Sequence, residues 1–208
     1  MEFQTANLIP SNANPGPFDT GKFKLRAVSP SDIWRKPPNL DNFTAPIIYK
    51  ALPISTFKSA RVTAKGPWKT LYDQGGLFLV LPPKTGGSQK PWVKSGIEFY
   101  QGKPMMSVVA ADQWADWSLL PLSRESEEQG SMTVEFEREK EEDGSWVCNS
   151  PKALQSSFRR IHENVFLILL SQAPVGILKQ MGKLVNFPEW YDIVDQAILT
   201  PISSRERY

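Results

Sequence analysis

Proline and glycine punctuate this chain at short intervals, and that spacing constrains its fold more than any other feature. Eighteen prolines and thirteen glycines fall across 208 residues, and long apolar stripes at helical spacing are scarce between them. The intervals hold short β-rich runs instead. Residues 47–49 and 61–63 are weak examples and residues 76–81 a strong one, followed by 92–100, 105–111, 132–136, 165–170 and 183–187. Turn formers separate them: Pro82-Pro83, Gly86-Gly87, Gln101-Gly102-Lys103-Pro104 and Asp143-Gly144. Many short strands without intervening helices predict an all-β chain folded as an antiparallel sandwich or barrel. The single helix candidate is residues 157–164, where Phe158, Ile161 and Val165 recur at helical spacing, although a strand fits there equally. Residues 1–20 read as an irregular amino-terminal arm and residues 21–208 as one β-sandwich domain, with no internal repeat and no linker.

Composition excludes several classes. Hydrophobic residues make up 40% and charged residues 22%, which suits a folded globular chain and not a disordered one. Lys and Arg number 24 against 22 Asp and Glu, so the clustered basic excess of a nucleic-acid binder is missing. The lone cysteine, Cys148, excludes an intrachain disulfide framework and a Cys-rich zinc site, and reads as a small buried apolar residue beside Trp146. The amino terminus shows no basic and apolar leader pattern, and the longest apolar run, residues 165–170, is far short of a bilayer span. The expectation is a cytoplasmic protein with no membrane and no nucleic-acid partner.

Chemical motifs are equally sparse. His162 has no second histidine for a metal site and no nucleophile signature around it, so it reads as a partly exposed residue among charged neighbours. The glycine-rich stretch Thr85-Gly86-Gly87-Ser88-Gln89-Lys90 lacks the spacing of a phosphate-binding loop. No metal and no cofactor are expected. Glu135, Glu137 and Glu139 alternate on one strand and would project together about 7 Å apart, as paired glycosidase carboxylates do. The mixed charges that follow, Lys140-Glu141-Glu142-Asp143, favour a solvated sheet edge.

Residues 71–118 are more informative. In the strand around residues 72–81, one parity holds Leu77, Leu79 and Leu81, and the other holds Tyr72, Gln74, Gly76 and Phe78. In residues 92–100, Val93, Ile97 and Phe99 form a core face, while Trp92, Lys94, Gly96, Glu98 and Tyr100 face the other way. Aromatics of that size are unfavourable in water, so an ammonium and a carboxylate set among them suggest a covered or liganded cleft. Gly76 and Gly96 would clear space in it. An ordinary solvent face, with Lys94 and Glu98 simply pointing outward, is the plainer alternative.

The runs Tyr72-Asp73-Gln74-Gly75-Gly76-Leu77, Trp92-Val93-Lys94-Ser95-Gly96-Ile97-Glu98, Ser107-Val108-Val109 and Asp116-Trp117-Ser118 resemble the regulation-of-enolase protein family. These are fungal and bacterial domains of largely unknown function. Trp34-Arg35-Lys36-Pro37, Ala45-Pro46-Ile47-Ile48-Tyr49, Arg159-Arg160-Ile161 and Leu184-Val185-Asn186-Phe187 extend the resemblance over nearly the whole chain. Departures are Ala115, where the family usually has serine, the poorly fitting segment 174–188, and the carboxy-terminal tail. The resemblance implies a concanavalin-A-like lectin/glucanase jelly roll. By family position alone it places Trp34 and Arg35 at the rim of the cleft.

Fold does not dictate function. The first expectation is a cofactor-independent enzyme with Lys94 and Glu98 as catalytic groups and Tyr72, Gln74, Phe78, Trp92, Tyr100, Trp34 and Arg35 around a small, largely apolar substrate. Dehydration followed by cyclisation, even a hetero-Diels–Alder-type addition, needs only a shaped pocket and a few hydrogen bonds; some fungal biosynthetic cyclases resemble this family. The alternatives are a non-catalytic regulator with a protein partner, as the family's name implies, and a carbohydrate-binding module.

Overall fold

The computed structural model describes residues 3–8, 22, 24–53, 56–83, 86–140, 146–149, 155–156, 164–172 and 196–201. A short strand β1 (Gln4–Ala6) precedes the hairpin of β2 (Ile33–Lys36) and β3 (Leu40–Phe43). Next come β4 (Ile47–Pro53), β5 (Phe57–Lys65) and β6 (Gln74–Val80). Then β7 (Trp92–Tyr100), β8 (Lys103–Ala111) and β9 (Ala115–Pro121) follow. A six-residue helix, α1 (Arg124–Gln129), leads to β10 (Ser131–Lys140) and β11 (Trp146–Asn149). The last strands are β12 (Gln155–Ser156), β13 (Asn164–Gln172) and β14 (Gln196–Pro201).

Seven strands form one antiparallel sheet in the order β1-β4-β13-β6-β7-β8-β9, and five form a second in the order β12-β11-β10-β5-β14. The chain changes sheet at β5, at β6, at β10 and at β14, and β13 returns to lie between β4 and β6. This is the antiparallel jelly-roll sandwich that the short strands and the family resemblance predict. No helix among the described residues is long and apolar enough to cross a membrane.

The parity of β6 and β7 holds. Leu77, Leu79, Leu81, Val93 and Ile97 are buried between the sheets with Ala60, Val62 and Ala64 of β5 and Met132, Val134 and Phe136 of β10. Phe99 packs at the margin of that core and is only partly buried. The β7–β8 connection is a two-residue turn. Gln101 (φ 50) and Gly102 (φ 83) both take left-handed backbone, the geometry that matches the twist of a tight hairpin.

Several expectations are corrected. Gln4–Ala6, inside the segment read as an arm, pairs with β4. Helix α1 escapes sequence reading because it buries nothing. Its signals are the Ser123 cap, whose side chain accepts from the Ser126 N–H, Glu125 and Glu127 in its first turn, and Gly130 in left-handed backbone after its end. Strand β10 lies between β11 and β5, so Glu135 and Glu137 stand on the outer face of an inner strand and not on a sheet edge. Residues 157–163, with His162, and the expected strand at 183–187 lie outside the described residues; Cys148 lies on β11, its side chain likewise undescribed.

Candidate functional site

The register of β6 to β9 lays out the face turned away from the inter-sheet core in rows. Val80, Trp92, Ala111 and Ala115 form one row, and Phe78, Lys94, Val109 and Trp117 the next. Gly76, Gly96 and Ser107 follow, then Gln74, Glu98 and Met105. The face is roofed. Ile33 of the β2–β3 hairpin is fully buried against it, in a second apolar layer with Ala45, Ile47, Phe78, Val80, Trp92, Val109 and Ala111. The sandwich therefore carries two apolar layers, one on each side of the seven-stranded sheet.

Lys94 and Glu98 sit within this covered face, at 4% and 2% exposure. Lys94 Nζ donates to the Ile33 carbonyl at 2.7 Å and lies 5.7 Å from the Trp34 ring centroid and 5.9 Å from that of Trp92. Glu98 Oε2 accepts from Ser107 Oγ at 2.6 Å and from Trp117 Nε1 at 3.0 Å. Burial lowers the Lys94 pKa to about 8, against the attraction of Asp32 and Glu98. Burial likewise raises that of Glu98, against its bonds to Ser107 and Trp117 and the attraction of Lys94. Desolvation thus draws both groups toward neutrality, where a side chain can give or take a proton.

The two glycines do more than clear space. A Cβ at Gly76 would overlap the Ser95 carbonyl oxygen, and one at Gly96 the Gly75 carbonyl oxygen. Close backbone approach between β6 and β7 therefore demands glycine at both positions. Above the pair is a niche of about 10 Å³ bordered by Gln74, Lys94 and Ser107.

Arg35 clamps the hairpin down. Its Nε and Nη2 donate to the two Asp41 carboxylate oxygens at 3.0 and 3.1 Å, and its Nη1 to the Asp112 carbonyl at 2.7 Å. Nη2 also donates to the Lys90 carbonyl at 3.2 Å. Beside this clamp, between hairpin and sheet, lies a cavity of about 440 Å³ walled by Phe43, Ile47, Tyr49, Val80 and Trp92, with Arg35, Asp41 and Ser88-Gln89-Lys90 around it.

The expected single cleft is thus divided. Trp92 and Arg35 border the large cavity, whereas Gln74 and Lys94 border the small niche. Arg35 is buried and structural as well as adjacent to the cavity. Trp34 is half-buried over Lys94. Phe78 lines neither space; it is fully buried, packed on Phe43 and Trp92 with ring centroids 5.6 and 5.5 Å away.

Tyr72 reaches the face by another route than strand parity. It lies in the turn before β6 with φ 70, an outlier for a bulky residue. That turn is held by the Asp73 carboxylate, which accepts the Lys69 and Thr70 N–H groups at 3.0 and 2.8 Å. The Tyr72 N–H donates to the Phe99 carbonyl at 2.8 Å. The result is an aromatic group at the Glu98 end, with Tyr72 stacked on Tyr100 at 6.0 Å and Trp117 edge-on to Tyr100 at 5.2 Å. Sequence reasoning missed Ser107 and Trp117 as partners of Glu98, Asp73 as the turn holder and Ile33 as the cap on Lys94. The first three lie in the family-like runs, which was the available signal. Among the described residues, no cluster of three or more His, Cys, Asp or Glu could hold a metal ion.

Comparison with known proteins supports the fold. A family profile described as a protein of unknown function (DUF1349) matches residues 14–162, which include the hairpin, the Tyr72 turn and β6 to β9. An uncharacterized protein of Emericella nidulans is 48% identical over 140 residues, 67% of this chain and 67% of that one. Regulation of enolase protein 1 of Saccharomyces cerevisiae is 28% identical over 101 residues, 48% of this chain and 47% of that protein, so the match spans about half of each. The crystal structure of a functionally unknown protein from Saccharomyces cerevisiae superposes with a TM-score of 0.58 at 18% identity, covering 81% of this chain and 86% of the other. That likeness is one of fold.

Proposed function

The chain belongs to the DUF1349 family of proteins of unknown function, and from that premise we propose that it binds a small, largely apolar organic molecule between hairpin and sheet. The observation that carries this reading is the cavity of about 440 Å³ with Phe43, Ile47, Tyr49, Val80 and Trp92 as walls. Its size suits a small ligand, and its few polar neighbours, Arg35, Asp41 and Ser88, would orient one.

In its finer form the proposal is catalysis without a cofactor, acting in the cytoplasm: loss of water from an alcohol, then cyclisation, including a hetero-Diels–Alder-type addition. Two features support it. Trp92 is shared between the cavity and the Lys94 cation, and Lys94 and Glu98 have proton affinities drawn toward neutrality. Holding reactive ends together in a shaped space contributes about 7–11 kcal/mol to favourable cases. Neither Lys94 nor Glu98 lines the cavity, so this form requires a substrate that extends past Trp92 to reach them, with Lys94 stabilising a developing oxyanion and Glu98 moving the proton.

A second reading is a non-catalytic regulator of a metabolic enzyme, supported by the name of the yeast relative, Regulation of enolase protein 1. A third, carbohydrate binding, has support in Tyr72, 40% exposed and stacked on Tyr100.

The test is binding of a naphthalene-class fluorescent probe, read by energy transfer from tryptophan. Val80→Trp, which fills the cavity from its wall, is expected to weaken binding at least about tenfold, the loss that follows when a ligand's burial is blocked. Equal affinity in the variant overturns the cavity as the site.

A further inference from the structure

We propose that the cavity between hairpin and sheet selects a neutral ligand bearing a hydroxyl or N–H group, and that the Asp41 carboxylate accepts the hydrogen bond from that group. This deepens the binding reading above and rests on it: it adds the chemical class of the ligand and the side chain that recognises it.

Two observations carry it. The first is how Arg35 spends its donors. A guanidinium has five N–H bonds in one plane. Four of them are committed inside the protein, two to the Asp41 oxygens, one to the Lys90 carbonyl and one to the Asp112 carbonyl. Arg35 is also only 4% exposed, with its fork closed on Asp41, so it does not offer a ligand the paired N–H bonds that hold a carboxylate or phosphate. The second is what remains on Asp41. An ionised carboxylate has about four lone-pair positions, and among the described residues Arg35 alone bonds this one, once at each oxygen. About two acceptor positions are left. The Asp41 side chain borders the cavity and is 49% exposed, so it is the accessible half of the pair.

Charge decides the form of the donor. The guanidinium lies 3.0 Å from the carboxylate and 6.0 Å from the Trp92 ring centroid, so a ligand ammonium would meet a like charge at both places. A ligand carboxylate would meet Asp41 itself. A neutral O–H or N–H escapes both repulsions, and its bond to an ionised acceptor is among the stronger kinds. The remainder of the ligand is apolar, to match Phe43, Ile47, Val80 and Trp92. Lys90, exposed at the border of the cavity, is the group that would favour an anion instead.

The experiment measures 2-naphthol, 2-methylnaphthalene and 2-naphthoate, three compounds of similar size, by displacement of the fluorescent probe from the full chain at pH 7. Where a hydroxyl finds no partner, its desolvation should leave 2-naphthol about tenfold weaker than 2-methylnaphthalene. With Asp41 accepting, 2-naphthol is expected to bind at least as tightly as 2-methylnaphthalene and about tenfold or more tighter than 2-naphthoate. Asp41→Ala removes the acceptor and releases the Arg35 donors. In that variant 2-naphthol should weaken about tenfold relative to 2-methylnaphthalene, and 2-naphthoate should gain about as much. Each comparison is a ratio within one protein, so a general loosening of the hairpin does not mimic it. If Asp41→Ala does not fold, the order in the unaltered protein decides. Binding of 2-naphthoate as tight as that of 2-naphthol overturns the proposal and assigns recognition to Lys90. Ratios unchanged in Asp41→Ala overturn it as well. Binding that responds to Val80→Trp but shows no advantage for the hydroxyl sinks this inference and leaves the cavity reading standing, whereas binding indifferent to Val80→Trp removes both.

Discussion

Lys94 Nζ bonds the Ile33 carbonyl at 2.7 Å, joining the middle of the seven-stranded sheet to the hairpin that roofs it. One side chain thereby serves the fold and the candidate chemistry together. Its charge is held where charge is unfavourable, beneath the hairpin that covers this face. Arg35, paired with Asp41 across the same hairpin, ties it to the Lys90 and Asp112 carbonyls.

The first consequence is a pH dependence of stability. With its pKa lowered to about 8 from 10.5, Lys94 has shed its proton in the folded chain at pH values where the unfolded chain still binds one. Stability from this group therefore rises between about pH 8 and 10.5, and the burial penalty is fully present below about 8. The interval corresponds to about 3 kcal/mol. Urea unfolding of the wild type and Lys94→Met at pH 7.5 and 10.5 should show a gain of that order in the wild type relative to the variant. A difference that stays constant with pH contradicts the assignment.

Glu98 behaves in the opposite sense. Its folded pKa is raised, so its contribution is full below the ordinary carboxylate range and is lost as pH rises through the folded value. Glu98→Gln keeps an oxygen for Ser107 and Trp117 and removes the charge. The variant should gain stability relative to the wild type as pH rises above the ordinary carboxylate range and through the folded Glu98 value. Lys94 should titrate lower than in the wild type, which NMR of ¹³C-methylated lysines reads directly.

Gly96→Ala tests the backbone approach. Its new methyl would collide with the Gly75 carbonyl on the neighbouring strand, and no flexible side chain is there to give way. A loss of more than about 3 kcal/mol is expected, in the range of overpacking without relief. Gly86→Ala is the control, with open space around it and only its φ of 81 to resist the change. That costs about 1 kcal/mol. Similar midpoints in a denaturant titration of the two variants would refute the close approach.

Asp73→Ala tests the turn that places Tyr72. The carboxylate is 1% exposed and accepts two main-chain N–H groups, so its removal should cost about 2–3 kcal/mol. Released from φ 70, Tyr72 should leave the Tyr100 ring, and hydrogen exchange at residues 69–73 should accelerate well ahead of exchange in β7. Unaltered exchange there would show that Asp73 does not hold the turn.

The division of Leu77, Leu79, Val93 and Ile97 from Trp92, Lys94 and Glu98 was legible in the sequence because alternation along a strand is a property of the local backbone. The same local geometry made Gln101-Gly102 readable as a turn. Punctuation by proline and glycine, with no long helical stripe, determined an antiparallel β architecture, and the family-like runs narrowed it to a jelly roll. Residues Ser107 and Trp117 were within those runs, yet nothing local says what they touch. Trp117 meets Glu98 because β9 pairs with β8 in the register that sets Trp117 opposite Val109, which leaves Asp116 on the other face. A slip of one residue would exchange them. Tyr72 joins the site through a turn conformation that bulky residues avoid, and Ile33 caps Lys94 from a hairpin sixty-one positions earlier in the chain. Strand parity was therefore determined by the sequence alone, while register, the hairpin roof and the partition of the face into cavity and niche were decided by the tertiary structure. The reason is that the former depends on neighbouring dihedral angles, and the latter on which distant segments bury their apolar surface against one another.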